Sequence, residues 1–370
     1  MLRRCFAVFA LAASSWANAE APPPDTDSFQ VGSTIRTFSP PQVREWRGAK
    51  RQALVTRIWY PVERSRQPAQ HDIGPTGHPL FRGSAVSENA PLSAAHETYP
   101  LVVFSHGTGG SADELDWLAS AFAKHGYIVA GVNHPGNNAL EPLTREGFVL
   151  WWERATDLSE VLDAMLADKA FGPHIDPRRV GAAGFSLGGY TVLELAGART
   201  DLSAFRAYCH SPAADSNCHP PTNYASRKVA PMSASAIASM KRSGASYRDL
   251  RIKAVFAMAP AIGKALDQQS LTRIEIPVRL IAGTADTTAP PTTNVLHIAQ
   301  FLPRARVRMI DGATHYTFLD TCVPAAMTIH ATICKEAPGV DRDAVHAIAI
   351  GEAFDFFDSS LAVPITEKSK

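Results

Sequence analysis

Val180-Gly181-Ala182-Ala183-Gly184-Phe185-Ser186-Leu187-Gly188-Gly189 opens as a short apolar, strand-like run and closes as the start of a helical pattern reaching Ala198. At the junction stands a G-x-S-x-G pentapeptide, Gly184 to Gly188. A serine hydroxyl presented there needs a sharp, strained turn, and glycines at 184 and 188 remove the side chains that would collide in it. The pentapeptide alone is moderately specific, because Gly/Ser helix starts and anion-binding loops share it. A strand before it and a helix after it make Ser186 a candidate nucleophile.

A serine used in this way needs a base and an acid that orients the base, following it in the order Ser, Asp or Glu, His. Asp286 ends Gly283-Thr284-Ala285-Asp286, directly after the strand-like run Val278–Ala282. His315 ends Gly312-Ala313-Thr314-His315, directly after the run Arg306–Ile310. Both therefore fall at the carboxyl end of a strand, the edge at which open sheets bind ligands. Asp311 stands too near His315 in sequence to orient it readily. His297 sits in a helical pattern and reads as a packed or surface histidine.

Developing negative charge on a substrate oxygen calls for backbone donors. One is the N–H of Leu187, the residue after the nucleophile. The other is expected from Ser105-His106-Gly107-Thr108-Gly109-Gly110, which follows the apolar run Leu101–Phe104. Gly107 and Gly109 leave the Thr108 amide free to face a site. A phosphate-cradling loop is the rival reading, but no G-x-x-x-x-G-K-S/T occurs here.

Strand and helix patterns alternate from Tyr99 onward. Tyr127–Val132, Val180–Gly184, Ala254–Met258, Val278–Ala282 and Arg306–Ile310 read as strands. Ser111 and Glu114 fit a capping box ahead of a helix ending near Gly126. Leu158, Val161, Leu162, Met165 and Leu166 form an i, i+3, i+4, i+7, i+8 stripe. Residues 341–357 read as a closing helix. This alternation predicts an α/β fold, a mostly parallel sheet flanked by helices. Leu54–Tyr60 is an earlier strand, expected to stop at Pro61. Residues 62–98 lack a period and read as a surface excursion, and 200–250 read as a lid-like insertion within a domain spanning 29–358, followed by a tail at 359–370. Trp117, Trp151, Trp152 and Phe185 are candidates to line an apolar pocket, although core packing explains such residues more often.

The chain has 370 residues, 45% of them hydrophobic, with 36 Lys+Arg against 35 Asp+Glu. This excludes a disordered polyelectrolyte and leaves no basic footprint for nucleic acid. Arg3 and Arg4, an apolar stretch from Cys5 to Trp16, and Ala17-Asn18-Ala19 read as a cleavable export signal over 1–19. The stretch is too short for a membrane span. A Pro-rich leader follows at 20–28, and export to a periplasm or medium is expected. Removal of the signal leaves Cys209, Cys218, Cys322 and Cys334. Three connectivities are open, and the short spacings favour Cys209–Cys218 and Cys322–Cys334. A zinc site built on Cys209-His210 and Cys218-His219 is the rival, but its spacing does not match known fingers.

Taken together, Ile58-Trp59-Tyr60-Pro61, Pro100–Gly110, Gly126–Gly136 with His134-Pro135-Gly136, Gly184–Gly189, Gly283–Asp286 and His315 resemble the serine α/β-hydrolases. The resemblance is strongest to the branch of platelet-activating-factor acetylhydrolases and dienelactone-hydrolase-like proteins. It implies the α/β-hydrolase fold, a triad of Ser186, Asp286 and His315, and oxyanion donors at Thr108 and Leu187. Dienelactone hydrolases proper carry cysteine where this chain has Ser186, so their substrate is not implied. The expected function is hydrolysis of a small-molecule ester with short acyl groups, needing no cofactor or metal. Amide or peptide hydrolysis by the same triad, and a silent hydrolase fold used for binding, are the competing readings.

Overall fold

A computed structural model describes residues 29–41, 44, 52–64, 66–219 and 231–362. The export signal, the leader at 20–28, residues 220–230 of the insertion and the tail beyond 362 lie outside the described residues.

Among the described residues ten strands form one sheet in the order β10-β9-β8-β7-β5-β6-β2-β1-β4-β3. They are β1 Gln30–Phe38, β2 Leu54–Val62, β3 Ala69–Ile73, β4 Phe81–Glu88, β5 Tyr99–Ser105, β6 Ile128–Asn133, β7 Ile175–Phe185, β8 Ile252–Met258, β9 Val278–Gly283 and β10 Ala305–Ile310. The six strands from β6 to β10 in that order are mutually parallel. The apolar runs of β5 to β9 are buried on both sides, as strands sandwiched between helix layers must be, while the edge strand β10 is largely exposed and buries Ile310 at its end. β2 joins antiparallel to β6, and β1 antiparallel to β2.

Helices α1 (Asp116–Lys124), α2 (Arg145–Val149), α3 (Glu153–Ala167), α4 (Leu187–Ala196) and α5 (Leu202–Cys209) follow in chain order. α1 packs with the C-terminal helix Arg342–Ser360, while α3 packs with α4 on the sheet. Leu158, Val161, Leu162 and Met165 are buried, so the apolar stripe of α3 is its sheet-facing side.

Several expectations need correction. β2 runs through Pro61 and ends at Val62. The Pro61 carbonyl accepts from Ser93 N–H. Within a strand, N–H and C=O of one residue point the same way, so the missing N–H costs β1 no ladder bond. Residues 62–98 contain β3 and β4, and β4 adds to β1 in parallel. The closing helix continues through Ser359 and Ser360, which had been assigned to the tail.

The C-terminal helix closes the core through Phe357, which is fully buried. Gly181 of β7 has no Cβ because that position is filled by the Phe357 ring. Phe256 of β8 and Phe122 of α1 surround the same ring. Phe357→Ala is expected to lower unfolding stability by about 3–5 kcal/mol, measured by urea denaturation. A loss below about 1 kcal/mol would mean that this helix is not integral to the core.

Candidate active site

Ser186 stands between β7 and α4 with φ 57° and ψ −121°, a backbone conformation costly for a residue with a side chain. A Cβ on Gly184 would overlap the Gly188 carbonyl, and one on Gly188 would overlap that of Ser105. The glycines are therefore required by contact. The turn is also pinned: Ser186 N–H donates to Met258 O at 2.9 Å, and Ser186 O accepts from Ala261 N–H at 3.1 Å.

His315 Nε2 lies 2.9 Å from Ser186 Oγ, and His315 Nδ1 lies 2.7 Å from Asp286 Oδ2. An ionised carboxylate only accepts, so Nδ1 carries the proton and a neutral imidazole presents Nε2 as acceptor to the hydroxyl. The second carboxylate oxygen of Asp286 accepts from Thr288 N–H at 2.9 Å and Ala289 N–H at 2.7 Å. The loops carrying acid and imidazole are joined directly, with Thr284 N–H bonded to Ile310 O and Ala285 N–H to Ala313 O. All three side chains are buried. Asp311 instead accepts from Thr284 Oγ1, and His297 is buried next to Lys264.

Ser186 and His315 open onto a cavity of about 580 Å³. Its apolar wall includes Phe81, Phe148, Trp151, Phe185, Phe205 and Ile262. Gly107, Thr108, Gly109 and Leu187 line it as well. Leu187 is the first residue of α4, so its N–H has no acceptor within the helix. Of the four aromatic candidates, Trp151 and Phe185 reach the cavity. Trp152 is fully buried, donating to Ser239 Oγ, and Trp117 stacks on His346.

The loop after β5 rests on a polar network that local motifs do not reveal. Gly109 N–H donates to Asn137 Oδ1 at 2.7 Å, and Ala112 N–H to Asn133 Oδ1 at 3.0 Å. Arg154 of α3 donates to the His106 carbonyl and, at 3.2 Å, to Ser105 Oγ. Ser105 Oγ also lies 2.9 Å from His134 Nε2, whose Nδ1 is 2.8 Å from Asp157. Burial, and then the Arg154 charge, hold the His106 imidazole well below its usual range. Burial also lowers the Arg154 guanidinium to about 9, against the opposing pull of Asp157. The predicted capping box is not formed as expected. The Ser111 hydroxyl makes no cap.

Disulfides join Cys209 to Cys218 and Cys322 to Cys334. The first removes both thiols of the zinc alternative. Among the described residues no group of three or more His, Cys, Asp or Glu is placed to hold a metal ion. Among the same residues no helix is long and apolar enough to cross a membrane. Each disulfide braces one cavity wall. Cys218 lines the cavity beside Ser216 and Asn217, whose side chains donate to Thr288 O next to Asp286. Cys334 adjoins Ile333 on another wall.

The sheet order, the flanking helices and the turn at Ser186 define the α/β-hydrolase fold. Residues 82–145 match the family described as platelet-activating factor acetylhydrolase, isoform II. The chain is 32% identical over 111 residues to Cutinase est2 of Thermobifida alba, covering 30% of this chain and 34% of the cutinase. It is 30% identical over 115 residues to platelet-activating factor acetylhydrolase of Cavia porcellus, covering 29% of this chain and 24% of that protein. The aligned part thus spans about a third or less of these curated relatives. A ferulic acid esterase from Streptomyces cinnamoneus superposes with a TM-score of 0.61 at 20% identity, covering 95% of this chain and 96% of the esterase. These findings bear out the resemblance to serine α/β-hydrolases of the platelet-activating-factor acetylhydrolase branch.

Behind Ser186, on α4, burial pushes the Glu194 carboxyl up from 4.5 to about 8. It accepts from Tyr190 Oη at 2.7 Å and Thr200 Oγ1 at 2.8 Å. A carboxyl raised in the folded state binds its proton more tightly there than in the unfolded chain. Its contribution is therefore full below about 4.5 and is lost as pH rises through about 8. The urea midpoint is expected to fall between about pH 5 and pH 8.5, and Glu194→Gln is expected to flatten that fall. Parallel pH profiles for the two proteins would contradict this assignment.

Proposed function

We propose that the protein is an exported serine ester hydrolase acting on small or short-acyl esters through Ser186, His315 and Asp286. The observation that carries this reading is the continuous chain Ser186 Oγ–His315–Asp286, at 2.9 and 2.7 Å, opening onto an apolar cavity.

In this mechanism His315 Nε2 takes the hydroxyl proton as Ser186 Oγ bonds to the ester carbonyl carbon. Asp286 keeps the imidazole in the productive tautomer and stabilises the imidazolium that forms. The N–H groups of Thr108 and Leu187 receive the negative charge on the former carbonyl oxygen. His315 returns its proton to the departing alcohol, leaving an acyl-serine. Water, deprotonated by the same imidazole, then releases the acid and restores Ser186.

The names of the relatives, cutinase, acetylhydrolase and ferulic acid esterase, favour an ester over an amide. Export is supported by the sequence of residues 1–19 and by the two disulfides, a bond type that persists in oxidising compartments. The extent of the hydrolase domain, 29–358 with the 200–250 insertion, remains part of this reading. Phe205, Ser216, Cys218 and His219 of that insertion line the cavity, supporting a role in substrate selection.

Ser186→Ala is expected to lower kcat for p-nitrophenyl butyrate by about 10⁴-fold or more, and Asp286→Asn by about 10⁴-fold. A fluorophosphonate probe is expected to label the wild type at Ser186 and to spare Ser186→Ala. Undiminished turnover in purified Ser186→Ala would refute the mechanism. Faster cleavage of the matching p-nitroanilide than of the ester would shift the reading to an amidase.

A further inference from the structure

Glu114 is left unused by this mechanism, yet it lines the same cavity as Ser186, Thr108, Gly110 and His315. Its carboxyl lies against Gly110, so close that a Cβ there would overlap Oε2. None of the ion pairs among the described residues involves it. The charged groups coupled to it are themselves acidic. Asp113 faces it from the same turn, and Asp320 senses it from the segment that caps α1. Asp113 is engaged by Arg57, and Asp320 by the backbone N–H groups of Asp116 and Trp117.

An acidic side chain without a cationic partner, set in an aromatic wall, is an expensive feature for packing alone. Burial pushes it up to about 7, so a large fraction is ionised at neutral pH. Water excluded by a bound substrate would strengthen its interaction with any charge the substrate carries.

We propose that Glu114 is a specificity-determining residue, selecting esters that carry a positive charge and rejecting those that carry a carboxylate or phosphate. The proposal rests on the ester-hydrolase reading for its substrates, but its test separates the two. Three p-nitrophenyl esters of similar length supply the charges: pentanoate, monoglutarate and γ-(trimethylammonio)butyrate. A second set carries the same charges on the alcohol of a common acetate. Specificity is read at about pH 8.5 as kcat/KM of each charged ester divided by that of the neutral one.

The wild type is expected to favour the cationic over the anionic ester by on the order of tenfold or more in at least one set, a lower bound, since unit charges ~7 Å apart at an effective dielectric of ~20 would each contribute roughly fiftyfold. Glu114→Gln keeps the shape of the side chain without its charge and is expected to bring both ratios close to one. In the wild type itself, lowering the pH to about 5.5 is expected to narrow the cation-to-anion ratio. Because both esters meet the same His315, its protonation cancels in that ratio. Equal ratios in wild type and Glu114→Gln in both sets would overturn the proposal. If the wild type cleaves none of the esters, the hydrolase reading fails. Charge selection is then read by equilibrium dialysis of the same esters with Ser186→Ala, where equal binding of cation and anion overturns it.

Discussion

The site depends on one strained turn. Ser186 adopts φ 57° and ψ −121° because the chain must leave β7 and enter α4 within a residue, and the surrounding backbone leaves it no alternative. A turn of this kind persists only where neighbours over-determine it. Here the neighbours are the ends of adjacent strands. Met258 and Ala261, at the end of β8, hold the Ser186 backbone on both its donor and acceptor sides. The hydroxyl is therefore positioned by the sheet rather than by its own rotamer preferences. A displacement of β8 against β7 would move the hydroxyl directly.

The same sheet supplies the partners. Parallel pairing of β9 with β10 in register, from Val278 opposite Ala305 to Gly283 opposite Ile310, ends both strands at one level. The loops that follow then bond to each other, and Asp286 and His315 face Ser186 from the same rim. On the other side the loop after β5 has no strand partner beyond Ser105 and is carried by side chains. Ser105, His134 and Asp157 repeat the serine–imidazole–carboxylate order beneath it, but Ser105 is fully buried and its oxygen also accepts from Arg154. Ser105 does not line the cavity that Ser186 opens onto, so the same hydrogen-bonded order serves here to hold a loop. Buried polar groups in a low-dielectric setting fix position strongly when each is paired.

What could be read from the sequence follows the range of the interactions. Gly184–Gly188, Asp286 and His315 were legible because each is tied to the end of a short apolar run, a local signal. β1, with Gly32, Ser33 and Thr34 in its middle, has no apolar alternation, and β4 hides Gly83 and Ser84 within residues that otherwise read as loop. Both become strands by joining a sheet already built, a tertiary cause with no local mark. Pro61 misled because its effect depends on which side of β2 has a neighbour. The support of the loop after β5 was invisible for a similar reason. Asn137, His134, Asp157 and Arg154 lie 23 to 49 residues from the atoms they hold, and no spacing rule connects them.

Ser111 and Glu114 carry the lesson further, because the motif was present and its usual purpose was not fulfilled. A capping box exchanges two bonds at a helix start. Here the Ser111 hydroxyl makes no cap, and the turn opens as a short 3₁₀ segment, Ala112–Leu115, before α1. The N-terminus of α1 is instead satisfied by Asp320, brought from beyond His315, whose carboxylate accepts the N–H groups of Asp116 and Trp117. The N–H groups of Asp116 and Trp117 thus do not depend on Glu114, whose residue lines the cavity wall. The same contact ties the start of α1 to the segment that follows His315, so the acidic wall and the imidazole are held in one frame.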